Sequence, residues 1–294
     1  MNAYSYKKIL DKAWKAYNWE RADLCIKLVQ KILQTNPNDR NAFFVMAHAY
    51  WKKGDLDGAM FYAKQALRIA SDINLYLLIC NILEQREDYR TLLAVSEHVL
   101  KEEPNNKAAL YFKAIALYNL CDFDEAEIYT RKYLMYEPQD TSLIFQLARI
   151  YNYKKQYDLA EEEYQKVLEL APKSADIVGF SYAKMLVEKN RGFVSNKVVE
   201  LLFQAFSVVL ADDNAPIEIK EYYGKTYEEY KAKADEFSPL IYVYFALSLL
   251  YVFTHWDFLC SMPVYAQWIM GIGAILLVIF MVYQSVGLYY KYRK

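Results

Sequence analysis

The chain offers few side chains suited to chemistry. It has three histidines, His48, His98 and His255, and four cysteines, Cys25, Cys80, Cys121 and Cys260. None pairs with another at a metal-ligand spacing: there is no HExxH and no CxxC. A glycine-rich phosphate loop, a G-x-S-x-G elbow and a kinase signature are also missing. The acidic run Glu161-Glu162-Glu163 falls in a helical stretch and reads as a solvated face rather than an acid/base pair. His255-Trp256-Asp257 sits between two apolar stretches, where ionisable groups meet headgroups or solvent. No catalytic, metal or cofactor residues are therefore assigned, no cofactor is expected, and the chain is expected not to be an enzyme. With 35 basic and 36 acidic residues and a net charge of −1, nothing points to nucleic acid. The widely spaced cysteines give neither a disulfide framework nor a zinc site and fit a reducing compartment.

The remaining chemistry is recognition by aromatic and amide side chains, and a repeat positions them. Segments 107–140 and 141–174 keep the same landmarks at the same offsets. Each has Ala at its eighth position (Ala114, Ala148) and its twentieth (Ala126, Ala160), with Pro at its thirty-second (Pro138, Pro172). An aromatic-Asp pair precedes the second Ala: Phe123-Asp124 and Tyr157-Asp158. A period of about 34 residues with this pattern resembles the helix-turn-helix units of the tetratricopeptide-repeat family. The unit starting near Arg40 is similar too, through Met46-Ala47 and Tyr50 followed by Gly54-Asp55 and Ala59. The next, 73–106, keeps the length but has Leu92 where Ala is usual. Residues 4–34 resemble a degenerate first repeat, with a second helix a few residues too long.

Small residues at the eighth and twentieth positions let paired helices approach, and larger apolar residues fill the space to the next pair. One hairpin cannot bury its own face, so such units stack into a solenoid with a concave surface. The resemblance implies that the first helix of each unit lines that surface. Carried over residue by residue, the groove holds Asn41, Phe44, His48, Trp51 and Lys52, then Asn74, Leu77, Asn81, Glu84 and Gln85. Ala108, Tyr111, Ile115, Tyr118 and Asn119 follow, then Ser142, Phe145, Arg149, Asn152 and Tyr153. Relatives that clamp the acidic tails of chaperones use Lys and Asn at the fifth and ninth positions of their first unit. Phe44 and His48 stand there instead, replacing a cationic clamp with aromatic surface. Such a groove suits an extended or helical peptide with apolar anchors.

After Pro172 the period fails, although 175–190 and 196–211 still read as a helical hairpin with Gly192 and Ser195 between them. A following amphipathic helix places Ile219, Tyr222, Tyr223, Tyr227, Tyr230 and Ala234 on one face, as a solenoid cap would. Beyond Pro239 the chain turns apolar: 240–254 and 264–290 carry no charge. A span needs about 20 such residues, which predicts a transmembrane hairpin. Trp256, Trp268, Tyr283, Tyr289 and Tyr290 fit an interfacial belt, and Gly271, Gly273 and Ala274 a close helix contact. The loop at 255–263 lacks Lys and Arg, whereas both flanks carry them, so both termini are expected to be cytoplasmic.

The sequence thus predicts an all-α protein: a tetratricopeptide α-solenoid of about five helical hairpins plus capping helices, followed by a two-helix transmembrane hairpin. The expected domains are 1–174 (solenoid), 175–237 (extension and cap) and 238–294 (hairpin, spans at about 240–260 and 264–288). The expected role is a multi-pass membrane-anchored adaptor that binds a protein or peptide in the groove and the lipid bilayer through the hairpin, without nucleic acid. The alternative is a structural subunit of a membrane transport, secretion or envelope-biogenesis complex.

Overall fold

The computed structural model describes residues 2–190 and 192–234. The transmembrane hairpin expected at 238–294, with His255 and Asp257 in its loop, lies outside the described residues. Among the described residues no helix is long and apolar enough to cross a membrane, and every regular element is helical. The chain divides into two compact units, Met1–Ile150 and Tyr151–Lys294.

The first unit contains α1 (Ala3–Asn18), α2 (Ala22–Thr35), α3 (Arg40–Lys52), α4 (Leu56–Ile69), α5 (Ile73–Gln85), α6 (Tyr89–Glu102), α7 (Lys107–Asn119), α8 (Phe123–Leu134) and most of α9 (Thr141–Tyr153). These pair as successive hairpins, and the closest packing falls where the sequence is small. Ala47 with Ala59, Cys80 with Leu92, and Ala114 with Ala126 are completely buried. So are Ala13 and Cys25, which stand at the same offsets in α1 and α2. The first repeat is therefore not over-long: α2 has 14 residues, as do α4 and α6. The small residue of α2 is Cys25, whose thiol packs as a compact apolar group.

Every hairpin turn in this unit uses a left-handed residue. Gly54 takes φ +82°, but Glu20, Glu87 and Cys121 take φ 59°, 57° and 62° without being glycine. Each such residue stores roughly 1 kcal/mol of local strain. Caps offset it. Asp55, Asp88 and Asp122 accept the backbone N–H of Gly58, Thr91 and Glu125 at 2.8, 3.2 and 3.3 Å. Asp39, Asn106 and Asp140 likewise cap the first helices of their repeats.

Polar ties link successive hairpins. Buried Gln146 donates to the Ala114 carbonyl at 3.1 Å and to Thr130 Oγ1 at 3.0 Å. Lys113, 7% exposed, pairs with Glu97 at 2.8 Å and lies 4.1 Å above the Tyr129 ring.

In the second unit, α10 (Tyr157–Leu170) is followed by a 3-10 turn (Pro172–Ser174), α11 (Ala175–Lys189), α12 (Asn196–Ala211) and α13 (217–234). The expected hairpin after Pro172 is present as α11 and α12, with Gly192 at φ +90° between them. α13 rests on it through Tyr223, whose ring is 4.8 Å from Phe180, and Tyr227, 6.2 Å from Phe206. Gly224 lies against the Phe206 ring, where a Cβ would come within 3.2 Å. Two residues expected on that packing face stay largely exposed: Ile219, and Tyr222, whose ring still lies 5.8 Å from Phe180. The contact runs along Tyr223 and Tyr227, so the buried stripe is narrower than the apolar stripe of the sequence.

Glu161 also departs from expectation. It is not part of a solvated face: its side chain is 19% exposed and held by Lys189 and Lys197, both at 2.8 Å. The Tyr182 hydroxyl donates to it at 2.8 Å as well. Burial alone would raise its pKa, but the two ammonium groups and the phenol outweigh that and hold it at about 2.

Candidate partner-binding groove

Repeat geometry brings α1, α3 and α5 side by side in the first unit, and their exposed edges enclose a cleft of about 660 Å³. Phe44 and His48 come from α3 one turn apart, and Leu77 and Asn81 repeat that spacing on α5. Asn41 and Asn74 stand one turn earlier on the same two faces. Six of the residues carried over from the family pattern therefore line one cavity.

Several lining residues were not assigned from sequence, the buried Val45 and Leu78 among them. Leu10 and Trp14 of α1 face the cleft, and Arg40 forms an ion pair with Asp72 at 2.5 Å on its edge. The signal for the α1 pair was present. Leu10 and Trp14 stand 34 residues before Phe44 and His48, so the repeat offset alone would have placed them.

His48 is the most unusual group. Its ring lies 4.7 Å from Phe44, 5.4 Å from Trp14, 5.5 Å from Tyr17 and 6.3 Å from Trp51. Its Nδ1 is buried and has no hydrogen-bond partner among the described residues. Burial pushes its pKa down to about 4, so the ring is neutral near pH 7. The cleft thus joins a neutral aromatic wall to three asparagine side chains. Asn81 donates Nδ2 to the Leu77 carbonyl at 2.9 Å, which leaves its own carbonyl oxygen for a donor from outside. Such a surface can take an apolar side chain and hydrogen-bond the backbone next to it.

The other carried-over residues are placed differently. Trp51 packs against the core shared by α3 to α7, and its indole N–H has no partner among the described residues. Lys52 is bridged to Glu20 at 3.2 Å. The Tyr111 hydroxyl donates to Glu84 at 3.1 Å, and burial, with Glu84 beside it, raises the phenol pKa. Asn119 is exposed and donates to the Ile115 carbonyl at 2.9 Å. Arg149 is exposed and lies over the rings of Tyr118 and Phe145, at 5.2 and 5.7 Å. Asn152 and Tyr153 fall in the second unit, Asn152 half-buried and Tyr153 60% exposed. Among the described residues no group of three or more His, Cys, Asp or Glu could hold a metal ion.

Known proteins share this architecture. The tetratricopeptide-repeat family model matches residues 41–73 and 141–174, so the chain carries units of that type. Anaphase-promoting complex subunit 3 of Schizosaccharomyces pombe is 25% identical over 151 residues, which are 51% of this chain and 23% of that protein. The chain therefore spans under a quarter of the length of that curated relative. Among solved structures, PilW, a type IV pilus biogenesis factor, superimposes with a TM-score of 0.60 at 19% identity, covering 72% of this chain and 97% of PilW. MamA from Desulfovibrio magneticus RS-1 gives 0.54 at 20% identity, covering 60% of this chain and 97% of that one. YrrB, described as a tetratricopeptide-repeat protein with an unusual peptide-binding site, gives 0.52 at 19% identity over 67% of this chain and 97% of YrrB. At these identities the likeness is one of fold.

Proposed function

We propose that this protein is a non-enzymatic, membrane-anchored adaptor whose first unit captures a segment of a partner protein in the α1–α3–α5 cleft. The observation that carries the reading is the cleft itself. Apolar walls from Leu10, Trp14, Phe44 and Leu77 stand beside the amides of Asn41, Asn74 and Asn81 and the neutral His48 ring, with Arg40 paired to Asp72 at the edge. Large aromatic anchors ringed by amide hydrogen-bonding groups are the usual makings of a peptide site. Tetratricopeptide-repeat proteins bind protein or peptide partners, which agrees.

The anchor is residues 238–294, read from their two uncharged stretches. Lys225, Lys231 and Lys233 before it, and Lys291, Arg293 and Lys294 after it, place both termini in the cytoplasm, with 255–263 facing outward. Confining a partner to the membrane surface raises its effective concentration without any new contact. The test is crosslinking and recovery of partners from native membranes with the wild type and a Phe44→Ala, Asn81→Ala variant. Partner recovery falls in the variant while its circular dichroism is unchanged; equal recovery contradicts the assignment.

A second reading is a subunit of a membrane transport, secretion or envelope-biogenesis assembly. It is favoured by the large apolar side chains left exposed in the second unit, Ile177 at 58% and Ile217 at 71% among them. Replacing 238–294 with an unrelated membrane anchor separates the two: an adaptor keeps its function and an assembly subunit loses it.

A further inference from the structure

Charge is distributed unevenly along the groove of the first unit. At the cleft, Arg40 is neutralised by Asp72 at 2.5 Å. Lys52, on the same helix, is bridged to Glu20. On α9 the situation is different. Arg149 is exposed, its guanidinium lies 5.2 Å from the Tyr118 ring and 5.7 Å from the Phe145 ring, and it pairs with no carboxylate among the described residues. Glu84, the carboxylate carried by the groove face of α5, is already taken by the Tyr111 hydroxyl at 3.1 Å.

Two rings at cation–π distance restrain the guanidinium without supplying it a carboxylate acceptor. Its in-plane N–H fork remains for an acceptor, and a fork held in this way loses little freedom on engaging a planar carboxylate through two parallel hydrogen bonds. One guanidinium matches one carboxylate. A phosphomonoester, with nearly two charges and three acceptor oxygens, would stay under-neutralised beside a single cation.

We infer that the segment captured by this groove carries an Asp or Glu side chain that docks on Arg149, in addition to the apolar side chain that fills the cleft beside Phe44. The inference rests on the groove reading above and adds the partner's charge and spacing. Neighbouring helices pack about 8–10 Å apart, so the α3–α5 cleft and α9 are separated by roughly 20–25 Å. An extended chain rises about 3.3 Å per residue, so the two anchors stand about six to eight residues apart.

The test uses the full-length protein in detergent micelles and fluorescein-labelled synthetic peptides. Each peptide carries a Leu-Trp pair and one Asp, separated by a variable run of Ser and Asn, in both orders, with Asn-for-Asp counterparts. Fluorescence anisotropy should show tightest binding at a separation of about six to eight residues, with the Asp peptide preferred about tenfold over its Asn counterpart. Arg149→Met should erase that preference and leave binding of the Asn peptide unchanged, and Arg149→Lys should restore part of it. Phe44→Ala should weaken both peptides alike. Equal binding of Asp and Asn peptides by a wild type that still depends on Phe44 overturns the Arg149 pairing while the groove reading stands. Equal weakening of both peptides by Arg149→Met also overturns it, because Arg149 would then act only in packing. No binding by any peptide overturns the inference and the groove reading together. Circular dichroism and thermal melting confirm that each variant is folded.

Discussion

Two half-buried titratable groups, one in each unit, show opposite ways of placing polarity in a helical repeat protein. Glu161 in the second unit has its carboxylate oxygens engaged by Lys189, Lys197 and Tyr182. His48 in the first has a buried nitrogen without a partner among the described residues, four aromatic rings around it, and an open cleft beside it. A saturated network fixes its helices together and has nothing left to offer a ligand. An unsaturated aromatic wall contributes less to the fold and is ready for a partner's side chain. On the proposed function, the difference separates a structural node from a recognition surface.

The contrast can be broken by mutation. Glu161→Ala leaves two lysines without their shared carboxylate and should cost about 2–3 kcal/mol of stability. Chemical denaturation of the full-length protein should register this loss, while affinity for a groove peptide stays at the wild-type value. A loss of peptide binding at unchanged stability would reverse the roles assigned to the two regions.

Acid should separate the two groups as well. The folded-state pKa of His48 is depressed to about 4, so its contribution is complete above the unfolded value of about 6.5. It is lost as pH falls from there to about 4, a change on the order of 3 kcal/mol. Glu161 is depressed to about 2, so its contribution is complete above about 4.5 and lost only as pH falls from there toward 2. Denaturation midpoints measured from pH 7 to pH 2.5 should therefore fall in two stages. His48→Phe should remove the upper stage, and Glu161→Gln should shrink the lower one, to which Asp72 and Asp88, also held below the usual carboxylate range, contribute.

At the cleft, Phe44→Ala should reduce peptide affinity about tenfold, or about 1.4 kcal/mol, and lower the melting temperature only slightly because Phe44 is half-buried. Isothermal titration with the peptides described above measures it.

The smallest effect is expected in the turns. Glu87→Gly or Cys121→Gly relieves a left-handed backbone but increases the freedom of the unfolded chain, for a net gain of about 0.5 kcal/mol. Differential scanning calorimetry of the two variants should show a rise of a degree or two.

Much of this was legible in the sequence because the repeat is carried by short-range steric needs. Small residues at most close approaches recur at fixed offsets and located α3 to α10, whereas α11 and α12 were read from helical patterning and their stop and start residues. The misreadings have physical causes. Cys25 does the work of alanine in α2, so a search for alanine alone makes the first repeat look irregular. Glu20, Glu87 and Cys121 adopt a conformation that glycine favours, and no residue type announces it. At Glu161 the local run of three acids suggested solvent, whereas its environment is set by Lys189 and Lys197, 28 and 36 residues further on. In the groove, the repeat offsets bring Phe44, His48 and Asn81 to one cavity. Trp51 is not among its lining residues and packs against the core, as Phe44 and Leu77 do in part.

The central claim is that partners are captured by the first unit and not by the second. The most direct measurement places a photo-crosslinking residue at position 41, on the cleft, or at position 200, exposed on α12, in the full-length protein in native membranes. The account predicts a discrete partner adduct from position 41 that disappears with Phe44→Ala, and none from position 200. An adduct from position 200 alone, or one from position 41 indifferent to Phe44→Ala, would contradict it.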